Sequence, residues 1–229
     1  MPRHPVLTDA LLDAALGPEP RPDLKASSPR FFHSPVAEAL TRAPPWSPYL
    51  LHLPLVALIL TFKILTFETA PTAATAALVA AGALAWTFVE YWLHRLFFHL
   101  RPGGDARRVT SYIVHRHHHA APADRARLVA TPAQSASLAL LLFAVYSALA
   151  GPSARWPLIT GTLLGYLGYE LVHYSAHHRR PRTALGRALR RHHLRHHFAD
   201  PDRNFGISTP LWDLVFRTRS SRQELEDSI

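Results

Sequence analysis

The chain has 229 residues, 48% of them apolar, with 20 prolines, no cysteine and a mean hydropathy of zero. Its 25 basic residues, all but two of them arginine, face 16 acidic ones for a formal charge of +9. Length allows one domain and little more. Lack of cysteine excludes a disulfide scaffold, thiolate ligation of zinc or iron–sulfur clusters, and a cysteine nucleophile; the apolar share excludes a disordered chain.

Residues 1–48 are polar and punctuated by Pro18, Pro20, Pro22, Pro29, Pro44, Pro45 and Pro48. They read as a segment peripheral to the membrane, ahead of a main domain at 49–229. Four apolar stretches follow: Leu50–Phe67, Thr72–Leu93, Ala133–Ala150 and Trp156–Val172. A bilayer takes about 20 apolar residues, with a range of roughly 17–25. The first run starts at residue 50, too late for a secretory signal peptide. Glu68–Pro71 and Gly151–Arg155 read as short links, which predicts two antiparallel helical hairpins. The expected fold is therefore all-α: an integral membrane protein with four transmembrane helices and a cytoplasmic, His-rich helical cap.

Charge supports that topology. The two links hold one basic residue, Arg155, whereas Arg101, Arg107, Arg108, Arg116, Arg125 and Arg127 follow the second stretch and eleven more arginines follow the fourth. Positive-inside orientation then places both termini and the histidines in the cytoplasm. Trp46, Tyr49, Trp92 and Trp156 sit near stretch ends, where interfacial aromatics belong. Nucleic acid would use the same arginines, but no stacking pattern accompanies them, and anionic headgroups suit them better. Arginine in place of lysine fits a GC-rich bacterial genome and hence the inner membrane, with the endoplasmic reticulum as the eukaryotic equivalent.

Of the 16 histidines, thirteen fall between positions 94 and 197. They form four groups: His94 and His99; His115, His118 and His119; His173 and His177; His193, His196 and His197. Imidazole is the commonest neutral metal ligand, and ten copies exceed what one ion takes, so two metals are expected. Residues three or four apart share a helical face, so each HxxHH triplet should point one way, as should His173 and His177. His94 and His99, five apart, differ by about 140° on an α-helix and should reach different metals or straddle a helix end. From Thr72 to His99 a continuous helix would run about 42 Å, beyond a hydrocarbon core of about 30 Å. The ligands would therefore emerge on the cytoplasmic face, unlike a transporter's mid-bilayer site. Structural zinc has no use for a pair of sites, and a soluble di-iron bundle would need more carboxylates. Glu90 and Glu170 are read as partners that orient imidazole N–H groups; His117, His178 and His192 are read as spectators able to hydrogen bond.

The ordered set HxxxxH, HxxHH, HxxxH and HxxHH on paired spans resembles the membrane fatty acid hydroxylase/sterol desaturase superfamily. Within it, the chain is similar to the fatty acid 2-hydroxylase (sphingolipid α-hydroxylase) branch. Supporting stretches are EYWLHRLFFH at 90–99, HRHHH with RLVATP at 115–132, GYELVHYSAHH at 168–178 and RHHLRHHF at 191–198. NFGISTPLWDLVFRT at 204–218 is similar to the family's closing segment, and SSPRFFHSP at 27–35 to its pre-membrane linker. The likeness covers roughly residues 27–219. It implies that His94, His99, His115, His118, His119, His173, His177, His193, His196 and His197 bind a dimetal centre, iron in the working oxygenase and zinc as an alternative occupant of purified protein. Thr131 stands where relatives tend to repeat proline, and His117 and His192 enlarge their clusters. Residues 1–48 are too few for the cytochrome b5 domain of eukaryotic members, so electrons are expected from a separate cytochrome b5-like or ferredoxin-like donor.

The expected reaction is O2-dependent hydroxylation of a lipid acyl chain, at carbon 2 of a fatty acid or sphingolipid acyl group. Breaking an unactivated C–H bond is beyond any side-chain acid or base and needs a metal-bound oxidant. No GxSxG elbow is present. Two alternatives remain open: a sterol or other lipid desaturase or oxidase of the same superfamily, and a non-catalytic membrane metal-binding or transport protein.

Overall fold

The computed structural model describes residues 3–18, 22–26, 28–67, 72–99 and 103–220. Among these the chain is helical, with no strand beyond one isolated antiparallel bridge between Leu7 and Phe32. The helices are α1 (Asp9–Leu16), α2 (Pro35–Ala39), α3 (Ser47–Phe67), α4 (Ala73–Trp92), α5 (Asp105–Ser111), α6 (His117–Ala120), α7 (Pro132–Leu149), α8 (Gly151–His178), α9 (Ala184–Phe198) and α10 (Leu211–Val215). Two π-helical segments interrupt them: Leu93–Phe98 prolongs α4, and Tyr112–Arg116 joins α5 to α6.

Each apolar stretch falls in a helix, but one link differs from expectation. Glu68–Pro71 lies outside the described residues. Gly151–Arg155 is not a link: it forms the first turns of α8. Reversal is achieved at Ala150 and at Gly151, whose φ of +74° suits glycine. Thr131 caps α7: its hydroxyl accepts from Gln134 N–H while the Gln134 carboxamide accepts from Thr131 N–H, and Pro132 takes the first turn.

Contacts divide the chain into two compact units. One comprises Trp46–Val89 and Ala130–Leu171. Here glycines let helix backbones touch: a Cβ on Gly82 would lie 2.1 Å from the Leu158 carbonyl oxygen, and one on Gly161 would lie 1.9 Å from that of Val79. Val56, Ile59, Ile159 and Leu163 bury against one another, as do Trp86, Tyr166 and Leu167. Two helices, Ala73–Phe98 and Pro132–Leu149, are long and apolar enough to cross a membrane. Only 17% and 6% of their most apolar windows are buried, where the core helix of a soluble protein would be mostly covered. The described apolar part of α3 is shorter, and α8 carries polar ends that lower its hydropathy.

The other unit comprises Met1–Pro45, Glu90–Val129 and Val172–Ile229. Leu11, Ala15 and Phe31 from the N-terminal segment form its core with Val109 and Tyr112. Glu38 anchors this segment. Its carboxylate accepts from Phe31 N–H at 2.7 Å, Phe32 N–H at 3.1 Å, Arg42 at 2.9 Å and Arg127 at 2.5 Å, and the Arg127 guanidinium lies 3.9 Å over the Phe31 ring. The N-terminal residues thus pack with the segments that carry the histidines.

Candidate metal centre

The ten singled-out histidines collect in two groups within this second unit. His94, His99, His115, His119 and His196 form one; His118, His173, His177, His193 and His197 form the other. In each group the five ligand-type nitrogens lie within 4.8 Å of one another. No carboxylate or other donor type belongs to either set. The groups adjoin: the ring of His119 stacks on that of His197 at 4.1 Å.

Local backbone geometry explains a partition that differs from the sequence expectation. His94 and His99 join the same group. Five residues apart, they are bridged by the His99 N–H donating to the His94 carbonyl at 3.1 Å, the i to i+5 bond of the π-helix. An α-helix would have rotated them apart. Each HxxHH triplet, by contrast, is divided. His115 and His119 serve the first group while His118 serves the second; His193 and His197 serve the second while His196 serves the first. The i, i+4 pairs stay together and the i+3 position supplies the neighbouring site. His173 and His177, also four apart, share the second group.

Distances test whether these rings suit metal ions. Nε2 of His115 lies 3.1 Å from Nε2 of His94 and 2.9 Å from that of His119; Nε2 of His196 lies 3.2 Å from that of His119 and 3.0 Å from that of His99. The Nδ1 of His94 bonds the Phe205 carbonyl at 2.5 Å and the Nδ1 of His196 bonds the Arg203 carbonyl at 2.7 Å. A carbonyl only accepts, so both Nδ1 atoms carry the proton and both Nε2 atoms of the neutral rings are bare. Three rings are left to supply Nε2 protons for four contacts. Once His115 donates to His94, and His119 and His99 donate to His196, the His115–His119 contact faces proton to proton. Hydrogen bonding alone cannot satisfy the row, whereas a cation at its centre would accept every lone pair. Two nitrogens bound at about 2.1 Å and roughly a right angle lie about 3 Å apart, the spacing found. The second group repeats it, with Nε2 separations of 3.0 Å for His173–His118 and 2.8 Å for His177–His193.

Electrostatics point the same way. Burial, reinforced by the other imidazoles, pushes His115, His118, His119, His193, His196 and His197 well below the ordinary histidine range. Near neutral pH they are uncharged and present lone pairs. Such an all-imidazole set suits zinc, iron, copper or nickel.

Of the two glutamates, Glu90 bonds a loop where the sequence suggested an imidazole. Glu90 accepts from Ile207 N–H at 2.6 Å, from Ser208 N–H at 2.8 Å and from the Ser208 hydroxyl. It anchors the loop after α9 instead of an imidazole. Glu170 accepts from Ala130 N–H at 3.2 Å. Main-chain carbonyls of that same loop orient His94 and His196, a role no side-chain motif announces. His117 and His192 are not ligand-group members: they bond Asp124 and Asp213, each at 2.9 Å. His178 packs on Tyr174 with ring centroids 4.8 Å apart.

Asp213 escaped the sequence reading. Fully buried, it accepts from Phe205 N–H at 2.9 Å, Gly206 N–H at 2.8 Å, the Thr218 hydroxyl at 2.7 Å and His192. Burial works to raise its carboxyl, but bonds from His192, Thr218 and Gly206 outweigh that and hold it below its ordinary value. The one clue was an acid inside the otherwise apolar LWDLVF at 211–216. Asn204, with φ +57°, and Gly206, where a Cβ would lie 2.2 Å from the Thr209 oxygen, shape the turn it holds.

The family model for fatty acid hydroxylases matches residues 79–218, a span that takes in all ten histidines. This chain belongs to the fatty acid hydroxylase family. It is 36% identical over 198 residues to the dihydroceramide fatty acyl 2-hydroxylase FAH2 of Arabidopsis thaliana, covering 86% of this chain and 83% of that one. It is 35% identical to the fatty acid 2-hydroxylase of Mus musculus, covering 82% of this chain and 56% of the mouse protein. Among solved structures it is similar to full-length scs7p, of which the hydroxylase domain is visible: TM-score 0.77, 28% identity, 96% of this chain and 81% of that one covered. The family places the two imidazole groups in a lipid-oxidising context.

Proposed function

We propose that this family member is a membrane-bound, O2-dependent lipid acyl hydroxylase. In this reading His94, His99, His115, His119 and His196 hold one metal ion, and His118, His173, His177, His193 and His197 hold a second, iron in the working enzyme. The observation that carries it is the pair of adjoining five-imidazole groups whose Nε2 atoms converge at about 3 Å. The relatives' names supply the substrate class: a fatty acyl chain, free or in a ceramide, oxidised at carbon 2.

A redox-active metal pair supplies the oxidant from O2 that breaking an unactivated C–H bond demands. The chain's own residues prepare for it. Burial keeps the imidazoles neutral and the centre dry. Phe205 and Arg203 carbonyls hold the His94 and His196 tautomers that aim Nε2 inward. The Tyr91 hydroxyl at the end of α4 accepts from Arg95 and meets the hydroxyl of Thr218, beyond α10, each at 2.9 Å. Electrons would come from a donor of the cytochrome b5 or ferredoxin kind.

The arginine bias supports four spans, formed by α3, α4, α7 and α8, with both termini and the histidines on the cytoplasmic side. The residues of α4 and α7 left uncovered, such as Leu84, Leu140 and Leu149, would then meet lipid. Lipid mass spectrometry of cells expressing the chain beside the His197→Ala variant tests the reaction. Gain of one oxygen on acyl chains is expected from the wild type alone. Loss of two hydrogens would make it a desaturase, and metal uptake without any lipid change would make it a metal-binding protein.

A further inference from the structure

The two imidazole groups differ in what stands behind them. In the first, His94 and His196 have their Nδ1 atoms bonded to the carbonyls of Phe205 and Arg203. In the second, the Nδ1 atoms of His118, His193 and His197 are buried and meet no hydrogen-bonding partner among the described residues. Both carbonyls belong to one stretch, Arg203–Ser208, and that stretch is fastened to the rest of the unit by side chains rather than by regular structure.

Asp213 is the central fastener. Its two carboxylate oxygens take the N–H groups of Phe205 and Gly206, the two amides that flank the Phe205 carbonyl carbon. Fixing the amide on each side of a carbonyl fixes the plane and direction of that carbonyl. The carboxylate is in turn held by His192, from α9, and by the Thr218 hydroxyl. Asn204 N–H donates to the Thr218 carbonyl at 2.8 Å, and Glu90 takes the next two amides, Ile207 and Ser208. Among the described residues no main-chain carbonyl meets the Nδ1 of His118, His193 or His197.

We propose that Asp213 is a positioning residue for the first metal site alone, acting through the Phe205 carbonyl and His94, and that the two sites therefore bind metal unequally. A ligating imidazole whose second nitrogen is hydrogen-bonded is pre-oriented and more basic. The first site consequently binds tighter than the second in the wild-type chain. Replacing Asp213 releases the Phe205 carbonyl, lets the His94 ring rotate, and weakens the first site by about 10- to 100-fold, the usual effect of losing such a partner. This inference rests on the two-site reading above.

The test is a Co2+ titration of the full-length, metal-free protein in lipid nanodiscs, followed by visible absorption of the bound ion. His94→Ala identifies the phase that belongs to the first site and His173→Ala the phase that belongs to the second. Asp213→Asn is expected to move the first phase to about 10- to 100-fold higher cobalt and to leave the second where it was. Asp124→Asn removes another buried histidine–aspartate pair, His117–Asp124, that touches neither carbonyl; it should leave the first phase unchanged. Should Asp213→Asn not fold, Thr218→Val takes its place: it deletes one bond to the carboxylate and should weaken the first site by a smaller factor, again selectively. A wild type that takes up no cobalt overturns the metal reading and the inference with it. Two wild-type sites that Asp213→Asn or Thr218→Val weakens alike, or leaves alone, overturn the inference only. So does a first phase that Asp124→Asn shifts as far as Asp213→Asn.

Discussion

Acid should open the metal-free centre, and the size of the effect follows from the burial of its histidines. His115, His118, His119, His193, His196 and His197 all titrate well below the ordinary value, chiefly because burial penalises their charged forms. In the unfolded chain they take up protons near pH 6.5. Between that value and their depressed folded values the unfolded state holds more protons, so stability rises with pH in this window. It is complete above about pH 6.5 and is lost as pH falls.

At pH 5.5, one unit below the unfolded value, each such histidine removes on the order of 1 kcal/mol. Six together remove several kcal/mol, a large share of the roughly 5–15 kcal/mol that holds a typical domain folded. Unfolding at that pH should take up about five protons from these rings. Thermal melts of the chelated protein in nanodiscs, scanned from pH 7.5 to 5.5, should show a steep fall in Tm. The metal-loaded protein should resist until protons displace the ion from its imidazoles. A flat Tm for the chelated protein across this range would mean that the rings are solvated or already charged, and would refute the reasoning behind the neutral lone-pair cluster.

Two further predictions concern the other unit. Gly161→Ala places a methyl 1.9 Å from the Val79 carbonyl oxygen, so α4 and α8 must move apart by more than an ångström; a loss of about 1–3 kcal/mol is expected in denaturation by SDS. Gly168→Ala, which meets nothing within 4 Å, should denature like the wild type. Thr131→Ala deletes the hydroxyl half of the capping box on α7 and should cost about 1 kcal/mol in the same assay while lipid oxidation by the folded fraction is unchanged.

Much of the fold and of the centre was legible because the signals were local and redundant. Each apolar stretch fell within a helix, and the four histidine words named every ring in the two groups. What stayed hidden was which ring joins which group, since that depends on backbone period. An α-helical reading of His94 and His99 separates them; the π-helical segment Leu93–Phe98, which has no sequence signature, reunites them, while both HxxHH triplets divide between the groups, the one in the α-helix α9 included. The supporting partners were hidden for a different reason. Helical spacing suggested that Glu90 reaches a nearby histidine, but it reaches Ile207 and Ser208 more than a hundred residues away, and Asp213 meets His192 twenty-one residues upstream. Long-range pairing leaves no periodic trace, and carbonyl partners leave none at all, because every residue has one. A buried acid within an apolar word is the remaining trace: Asp213 in LWDLVF could not have been buried there unless several donors awaited it. Four such donors converge on it, two of them amides that set the direction of the carbonyl behind His94.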